Sequence, residues 1–116
     1  DILKFINKDL INYYLTPGQI YHLIEFFKLQ KHDLKDYDLK SFIKLVIKDN
    51  LYKKNALVRN IIFEYLEFYF RTKVKLAKSR TFEYYDHFLK RINDTKKFNL
   101  DEESLFMEFE YKILNG

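Results

Sequence analysis

The chain has 116 residues, a length that fits one domain and leaves little room for a second. Apolar residues make up 47% and aromatic residues 19% of it, which excludes intrinsic disorder and supplies a core without disulfides. Two glycines, one proline and no cysteine leave too little turn chemistry for a sheet protein and exclude thiolate metal sites. These features predict a single all-α domain over residues 1–116.

The formal net charge of +4 has two explanations. The abundant Lys, Asn, Ile, Tyr and Phe residues all have A/T-rich codons, so genome composition is one, and a basic surface for a partner is the other. The sequence contains no uncharged apolar run of about 18 residues and begins without a basic flank before an apolar stretch. We therefore expect neither a membrane span nor a signal peptide, and an intracellular location.

The spacing of apolar residues predicts six helices, the first over about residues 2–14. The second begins at Thr16, a suitable N-cap, with Pro17 at the first helical position and Gln19 three residues after the cap. The apolar face that follows at helical spacing consists of Ile20, Leu23, Ile24 and Phe27.

A polar loop is predicted over residues 31–38, with Asp38 as the N-cap of a third helix over about 39–49 that ends at Asn50. The loop holds the one local cluster of residues that often bind metals: His32, Asp33, Asp36 and Asp38. It lacks the glycine and the closing glutamate of a calcium loop. We therefore predict a solvated loop with capping aspartates and no metal.

The fourth predicted helix, over about residues 56–79, is the longest, and Asn55 is a suitable N-cap for it. Residues 57–70 are apolar except along one stripe, which consists of Asn60, Glu64, Glu67 and Arg71. A helix that is apolar around most of its circumference is normally surrounded by other helices. This helix is therefore predicted to be central, with Glu67 and Arg71 forming an ion pair one turn apart.

Two further helices are predicted, over about residues 81–93 and 101–114, with a polar loop at 94–99 between them. Acidic residues in the first turn of the last helix complement its dipole, and residues 115–116, Asn-Gly, would cap its end. The predicted architecture is an antiparallel bundle or a short stack of helical hairpins.

The clearest positional signal is a basic segment, residues 71–80, which contains five cations and no acid. Arginine and lysine bind phosphates, and the tyrosines at 84 and 85 would stack on unpaired bases. The predicted nucleic-acid-binding residues are Arg71, Lys73, Lys75, Lys78, Arg80, Lys90 and Arg91. The alternative is a solvated helix end, because the helix dipole alone favours cations there.

Most catalytic templates are absent from the sequence, which has no Gly-rich phosphate loop, and no cofactor is expected. Arg80 and His87 are seven positions apart and would lie on one helix face. This pair resembles the Arg-x4–6-His motif of HEPN-type ribonucleases, in which histidine helps to deprotonate a 2′-hydroxyl and arginine stabilises the phosphorane. The alternative is that His87 is an ordinary, partly buried helix residue.

Residues 15–29, Leu-Thr-Pro-Gly-Gln-Ile-Tyr-His-Leu-Ile-Glu-Phe-Phe-Lys-Leu, resemble the first helix of heptatricopeptide- and octotricopeptide-type repeats. Independently, residues 19–49 and 57–94 can each be interpreted as a helical hairpin that closes on a similar segment, 41–44 and 87–90. The resemblance implies a stack of such hairpins and an association with organellar RNA.

A second resemblance is to the small helical subunit of type III CRISPR effector complexes. It rests on Leu15-Thr16 with Gln19-Ile20, and on Tyr69-Phe70-Arg71 leading to Ser79-Arg80. In that family the basic helix faces the bound nucleic acid, so both resemblances imply ribonucleoprotein partners.

The sequence thus predicts a non-enzymatic helical module of a larger ribonucleoprotein-type assembly, which contacts RNA phosphates through the basic segment. The partners would be RNA, protein subunits, or both, with no small-molecule substrate and no membrane. Two alternatives remain: a protein-binding scaffold subunit that buries an aromatic surface, and a HEPN-like ribonuclease.

Overall fold

The computed structural model describes the whole chain except residues 1, 12–14, 77–78, 99–100 and 112–116. For residues 72–76, 79–82 and 84–85 it describes the helical backbone alone. The described residues form five α-helices: α1 (Pro17–Leu29), α2 (Leu39–Lys48), α3 (Ala56–Leu76), α4 (Ser79–Phe98) and α5 (Glu102–Phe109). Four short 3₁₀ turns lie at Ile2–Lys4, Lys8–Leu10, Leu34–Asp36 and Leu51–Lys53, and this part of the chain contains no strand. The all-α prediction is confirmed.

The chain divides into two compact units, residues 1–62 and residues 63–116, and α3 begins in the first and continues into the second. None of the helices in the described ranges is long and apolar enough to cross a membrane.

The core of the first unit is built from the apolar faces of α1 and α2 together with the 3₁₀ turns. The predicted apolar face of α1 is buried, and the Phe27 ring lies 5.3 Å from that of Phe42 on α2. The other residues buried to 2% exposure or less are Ile6, Leu10, Leu23, Leu34, Ile43, Val46, Leu51, Tyr52, Val58 and Ile62. Helices and 3₁₀ turns therefore contribute to one shared core.

The start of α1 has the predicted capping box. The Thr16 hydroxyl accepts a hydrogen bond from the backbone N–H of Gln19 at 3.1 Å. The Gln19 side-chain oxygen accepts one from the backbone N–H of Thr16 at 3.0 Å. Both donors would otherwise lack a partner within the helix, so the pair determines where α1 begins.

Replacing Thr16 with Ala is expected to lower the free energy of unfolding by about 1 kcal/mol, because the N–H of Gln19 loses its acceptor. Thr16→Ser keeps the hydroxyl and should behave like the wild type in chemical denaturation. Equal stability of the Ala and Ser variants would contradict this role.

The first predicted helix, over residues 2–14, is wrong for its described part, which forms two 3₁₀ turns with residues 5–7 between them. Asn7 has an extended backbone, its side chain accepts from the N–H of Asp9, and its own N–H donates to the carbonyl of Leu34 at 3.1 Å. These bonds replace the helical ladder, because a short helix is marginal and asparagine competes for backbone groups. Residues 12–14 of the prediction lie outside the described range.

The caps of α2 and α3 are confirmed. The Asp38 carboxylate accepts from the N–H of Ser41 at 2.9 Å, and the hydrogen bonds from Ser41 hold the pKa of Asp38 below its ordinary value. Asn50, with φ of 53°, has the left-handed conformation that ends α2. The Asn55 side chain accepts from the N–H groups of Leu57 and Val58 and so starts α3.

The loop before α2 differs from the prediction in one respect, since Leu34 lies in a 3₁₀ turn and is buried.

The core of the second unit is an aromatic cluster formed by α3, α4 and α5. Phe70 is fully buried; its ring stacks on Phe88 of α4 with centroids 5.3 Å apart and meets Phe109 of α5 edge-on at 4.9 Å. The Tyr69 ring also meets Phe109, and Phe106 of α5 packs on Phe63 of α3. Over residues 56–71 of α3, the part whose side chains are described, the buried residues are Val58, Ile61, Ile62, Phe63, Tyr65, Leu66, Tyr69 and Phe70, as the predicted apolar circumference requires.

The predicted loop over residues 94–99 is wrong for residues 94–98, which continue α4. The run Asn-Asp-Thr-Lys-Lys is polar, yet Thr95 lies three residues after the buried Ile92 and is itself buried. Its methyl group therefore extends the packed face through a polar stretch. α5 begins at Glu102 after the cap Asp101 and ends at Phe109, and the predicted cap at 115–116 lies outside the described residues.

Candidate functional site

The basic segment, residues 71–80, occupies the end of α3 and the beginning of α4. The Arg71 side chain is 68% exposed and lies 3.9 Å from the carboxylate of Glu67, one turn back, which confirms the predicted pair. Lys73 and Lys75 lie in the last turns of α3 and Arg80 in the first turn of α4, as described by the backbone alone. Lys78 lies outside the described residues.

The two remaining predicted cations, Lys90 and Arg91, lie side by side on α4 but differ in their surroundings. The Lys90 side chain is 76% exposed, and its ammonium lies 3.3 Å from the carboxylate of Asp86, one turn back. The Arg91 side chain is 31% exposed, and its guanidinium pairs with Glu108 of α5 and lies 6.0 Å from the ring centre of Phe88. Arg91 thus joins α4 to α5 in a helical hairpin.

The surroundings of these side chains distinguish exposed cations from one that is partly buried. Exposed ion pairs one turn apart stabilise a helix by only a few tenths of a kcal/mol, because water and salt screen them. Lys90 and Asp86 are both exposed, so Lys90 can exchange its carboxylate for a phosphate at little cost. Arg71 is exposed as well, but its partner Glu67 is only 19% exposed. A partly buried guanidinium that contacts both a carboxylate and an aromatic ring stabilises the fold more than an exposed ion pair does. The position of Arg91 suits a structural role.

Of the Arg80–His87 pair, the structure describes only the side chain of His87. His87 is exposed on α4, with its ring centre 6.2 Å from that of Phe88. Glu83 and Asp86 lie beside it in sequence, and Glu83 is exposed one turn away. The Arg80 side chain is among those not described, so the HEPN-like geometry stays a prediction.

The acidic loop before α2 has the capping carboxylates that its sequence predicted. Asp33 accepts from the N–H of Lys35 at 3.0 Å, and Asp38 caps α2. The His32 ring lies between two partners, with Nδ1 3.0 Å from the Tyr37 hydroxyl and Nε2 3.7 Å from the Asp49 carboxylate. Within the described ranges, no group of three or more His, Cys, Asp and Glu side chains is arranged to hold a metal ion.

An open groove in the first unit has no counterpart in the predictions. It has a volume of about 560 Å³ and is lined by Thr16, Gly18, Gln19, His22, Asn55, Ala56 and Leu57. His22 Nε2 lies 3.0 Å from the side-chain nitrogen of Asn55. The side-chain oxygen of Asn55 already accepts hydrogen bonds from two backbone N–H groups. An amide NH₂ group can only donate, so this hydrogen bond runs from Asn55 to the His22 ring. The two residues are 33 positions apart, so no local pattern could reveal this contact.

Several large apolar side chains are exposed in each unit. In the first unit these are Leu3, Phe5, Tyr21 and Leu29, and in the second they are Phe68, Phe98, Met107 and Tyr111. Phe5 lies beside α1, because the Lys28 ammonium is 5.9 Å from its ring centre.

Comparison with known proteins finds no matching family model, curated protein or solved structure.

Proposed function

We propose that this chain is a non-enzymatic helical module of a larger RNA–protein assembly and contacts RNA phosphates through its basic segment. The observation that carries the proposal is the run of five cations without an acid between Arg71 and Arg80, at the end of one helix and the start of the next. Clustered cations on helix ends supply the electrostatic, sequence-independent part of RNA affinity.

The surroundings of the described cations indicate which of them would serve the site. Arg71 lies at one end of the segment and is exposed, with a long and weak ion pair. Lys90 is similarly exposed on α4 and would add a phosphate contact. Arg91 would hold the α4–α5 hairpin instead of the RNA, because its guanidinium already has a carboxylate and an aromatic partner.

The test is the salt dependence of binding between the purified chain and a labelled single-stranded RNA, measured by fluorescence anisotropy. The slope of log K against log salt should be about −0.7 for each phosphate contact, because each contact releases condensed counterions. A peptide nucleic acid of the same base sequence has no phosphates and should not bind. Affinity that is insensitive to salt, or equal for both probes, would contradict the proposal and favour an apolar protein interface.

A further inference from the structure

We infer that one side of α1 is a docking surface for an amphipathic helix of a partner protein that carries acidic residues beside its apolar stripe. This surface consists of Phe5, Tyr21, Glu25, Lys28 and Leu29. It belongs to the first unit, whereas the basic segment belongs to the second, and it does not depend on the RNA proposal.

Two large apolar side chains of α1 face water. Tyr21 is 56% exposed and Leu29 is 78% exposed, although the predicted apolar face of the same helix is buried in the core. Residues three, four, seven and eight apart fall on one side of a helix, so Tyr21, Glu25 and Leu29 lie in one row. At 1.5 Å per residue the row is about 12 Å long.

Phe5 widens this row at its C-terminal end. Its ring is 45% exposed and lies beside Lys28, which is adjacent to Leu29. The contact between Lys28 and Phe5 thus adds an exposed aromatic ring from a second chain segment to this side of α1. A spacing of about two helical turns between Tyr21 and Leu29 matches the i and i+7 anchors of a partner helix.

The charges around the surface determine the chemistry of the partner. Lys4 is adjacent to Phe5, Lys28 lies against its ring, and Lys31 follows α1, with its N–H bonded to the carbonyl of Lys28 at 2.9 Å. All three lysines are exposed, whereas Glu25 is the acid on this side of α1. Complementary charge at the rim of an apolar contact favours a partner with acidic flanks.

A second copy of the chain fits this surface poorly. An antiparallel arrangement that brings Tyr21 of one copy level with Leu29 of the other has its two-fold axis at Glu25, midway between them. The two Glu25 carboxylates would then face each other, and like charges at a closed contact oppose it. Glu25 also lies at the centre of the apolar row, where it opposes insertion into a lipid surface.

The test uses a fluorescent synthetic helical peptide with leucines at i, i+3, i+4 and i+7 and glutamates on both flanks. Its affinity for the chain, measured by anisotropy, should be at least tenfold higher than that of a matched peptide with lysines on the flanks. Leu29→Ser should weaken binding at least tenfold without changing the melting curve, because an exposed side chain contributes little to folding.

Met107→Ser, a similar change at a 65% exposed position in the second unit, is the matched control and should leave binding unchanged. Equal affinity of the two peptides, no binding of the acidic one, or an unaffected Leu29→Ser variant would overturn the inference. Leu29-dependent binding to anionic phospholipid vesicles would overturn it in favour of a membrane surface.

Discussion

Replacing Lys73, Lys75 and Lys78 together with Glu is expected to abolish binding of single-stranded RNA to this chain. Each reversal removes one cation that neutralises a phosphate and adds a repulsive charge, so the salt slope of any residual binding should become shallower by about 0.7 for each replaced lysine. The free energy of unfolding should stay nearly unchanged if these side chains are exposed, since exposed charges contribute little to folding. Anisotropy with labelled RNA and chemical denaturation measure the two quantities.

The control for this variant is the replacement of Lys40, Lys44 and Lys48 with Glu. These lysines are exposed on α2, in the first unit, and their reversal changes the net charge of the chain by the same amount. If RNA binds at the basic segment, this control should bind RNA far more tightly than the variant with Glu at positions 73, 75 and 78. Equal losses of affinity would show that net charge, and not a site, attracts the RNA. Full binding by the first variant would remove the basic segment from the proposal.

The helix starts were predictable because their causes are local. The predicted caps Thr16, Asp38 and Asn55 each start a helix through a bond to a backbone N–H two or three residues ahead. Asp101 does the same for α5, although the sequence placed it inside the first turn of that helix. Such bonds depend on a few neighbouring residues, so the sequence alone contains the information. The Glu67–Arg71 pair was predictable for the same reason.

The errors occurred where distant residues decide the local structure. The spacing of Ile2, Ile6 and Leu10 suits a helix, but Asn7 bonds to the carbonyl of Leu34, which only the folded chain brings near. The polar run after Ile92 resembles a loop, but the burial of Thr95 keeps it helical. Tertiary packing overrides local preference in both places.

The candidate site shows the same division. A run of cations is visible in the sequence, and so is the spacing that pairs Lys90 with Asp86 one turn earlier. The engagement of Arg91 with Glu108 depends instead on how α4 meets α5, and no spacing along one helix indicates it. The sequence could therefore name the basic residues but could not separate the exposed cations from the one that joins two helices.

Replacing Phe70 with Ala is expected to lower the free energy of unfolding by about 3–5 kcal/mol, the largest effect on stability that we expect from a single substitution. Phe70 is fully buried, stacks on Phe88 and meets Phe109 edge-on, so its removal leaves a cavity where α3, α4 and α5 pack together. The cost comprises the transfer free energy of the ring, the unfilled volume and the two aromatic interactions. Since small domains are stable by only about 5–15 kcal/mol, chemical denaturation should show a large shift in midpoint.

The matched control is Phe68→Ala, which removes the same ring from the same helix two positions away. Phe68 is 40% exposed, so less apolar area returns to water and the surrounding side chains leave a smaller cavity. We expect its cost to be less than half that of Phe70→Ala. Because helical propensity changes equally in both variants, the difference between them isolates burial in the aromatic cluster. Similar midpoints for the two variants would mean that the second unit is not held together by this cluster.

A Phe70→Leu variant distinguishes the contribution of ring stacking from that of side-chain volume. If the stacked geometry contributes, restoring most of the volume should recover only part of the stability.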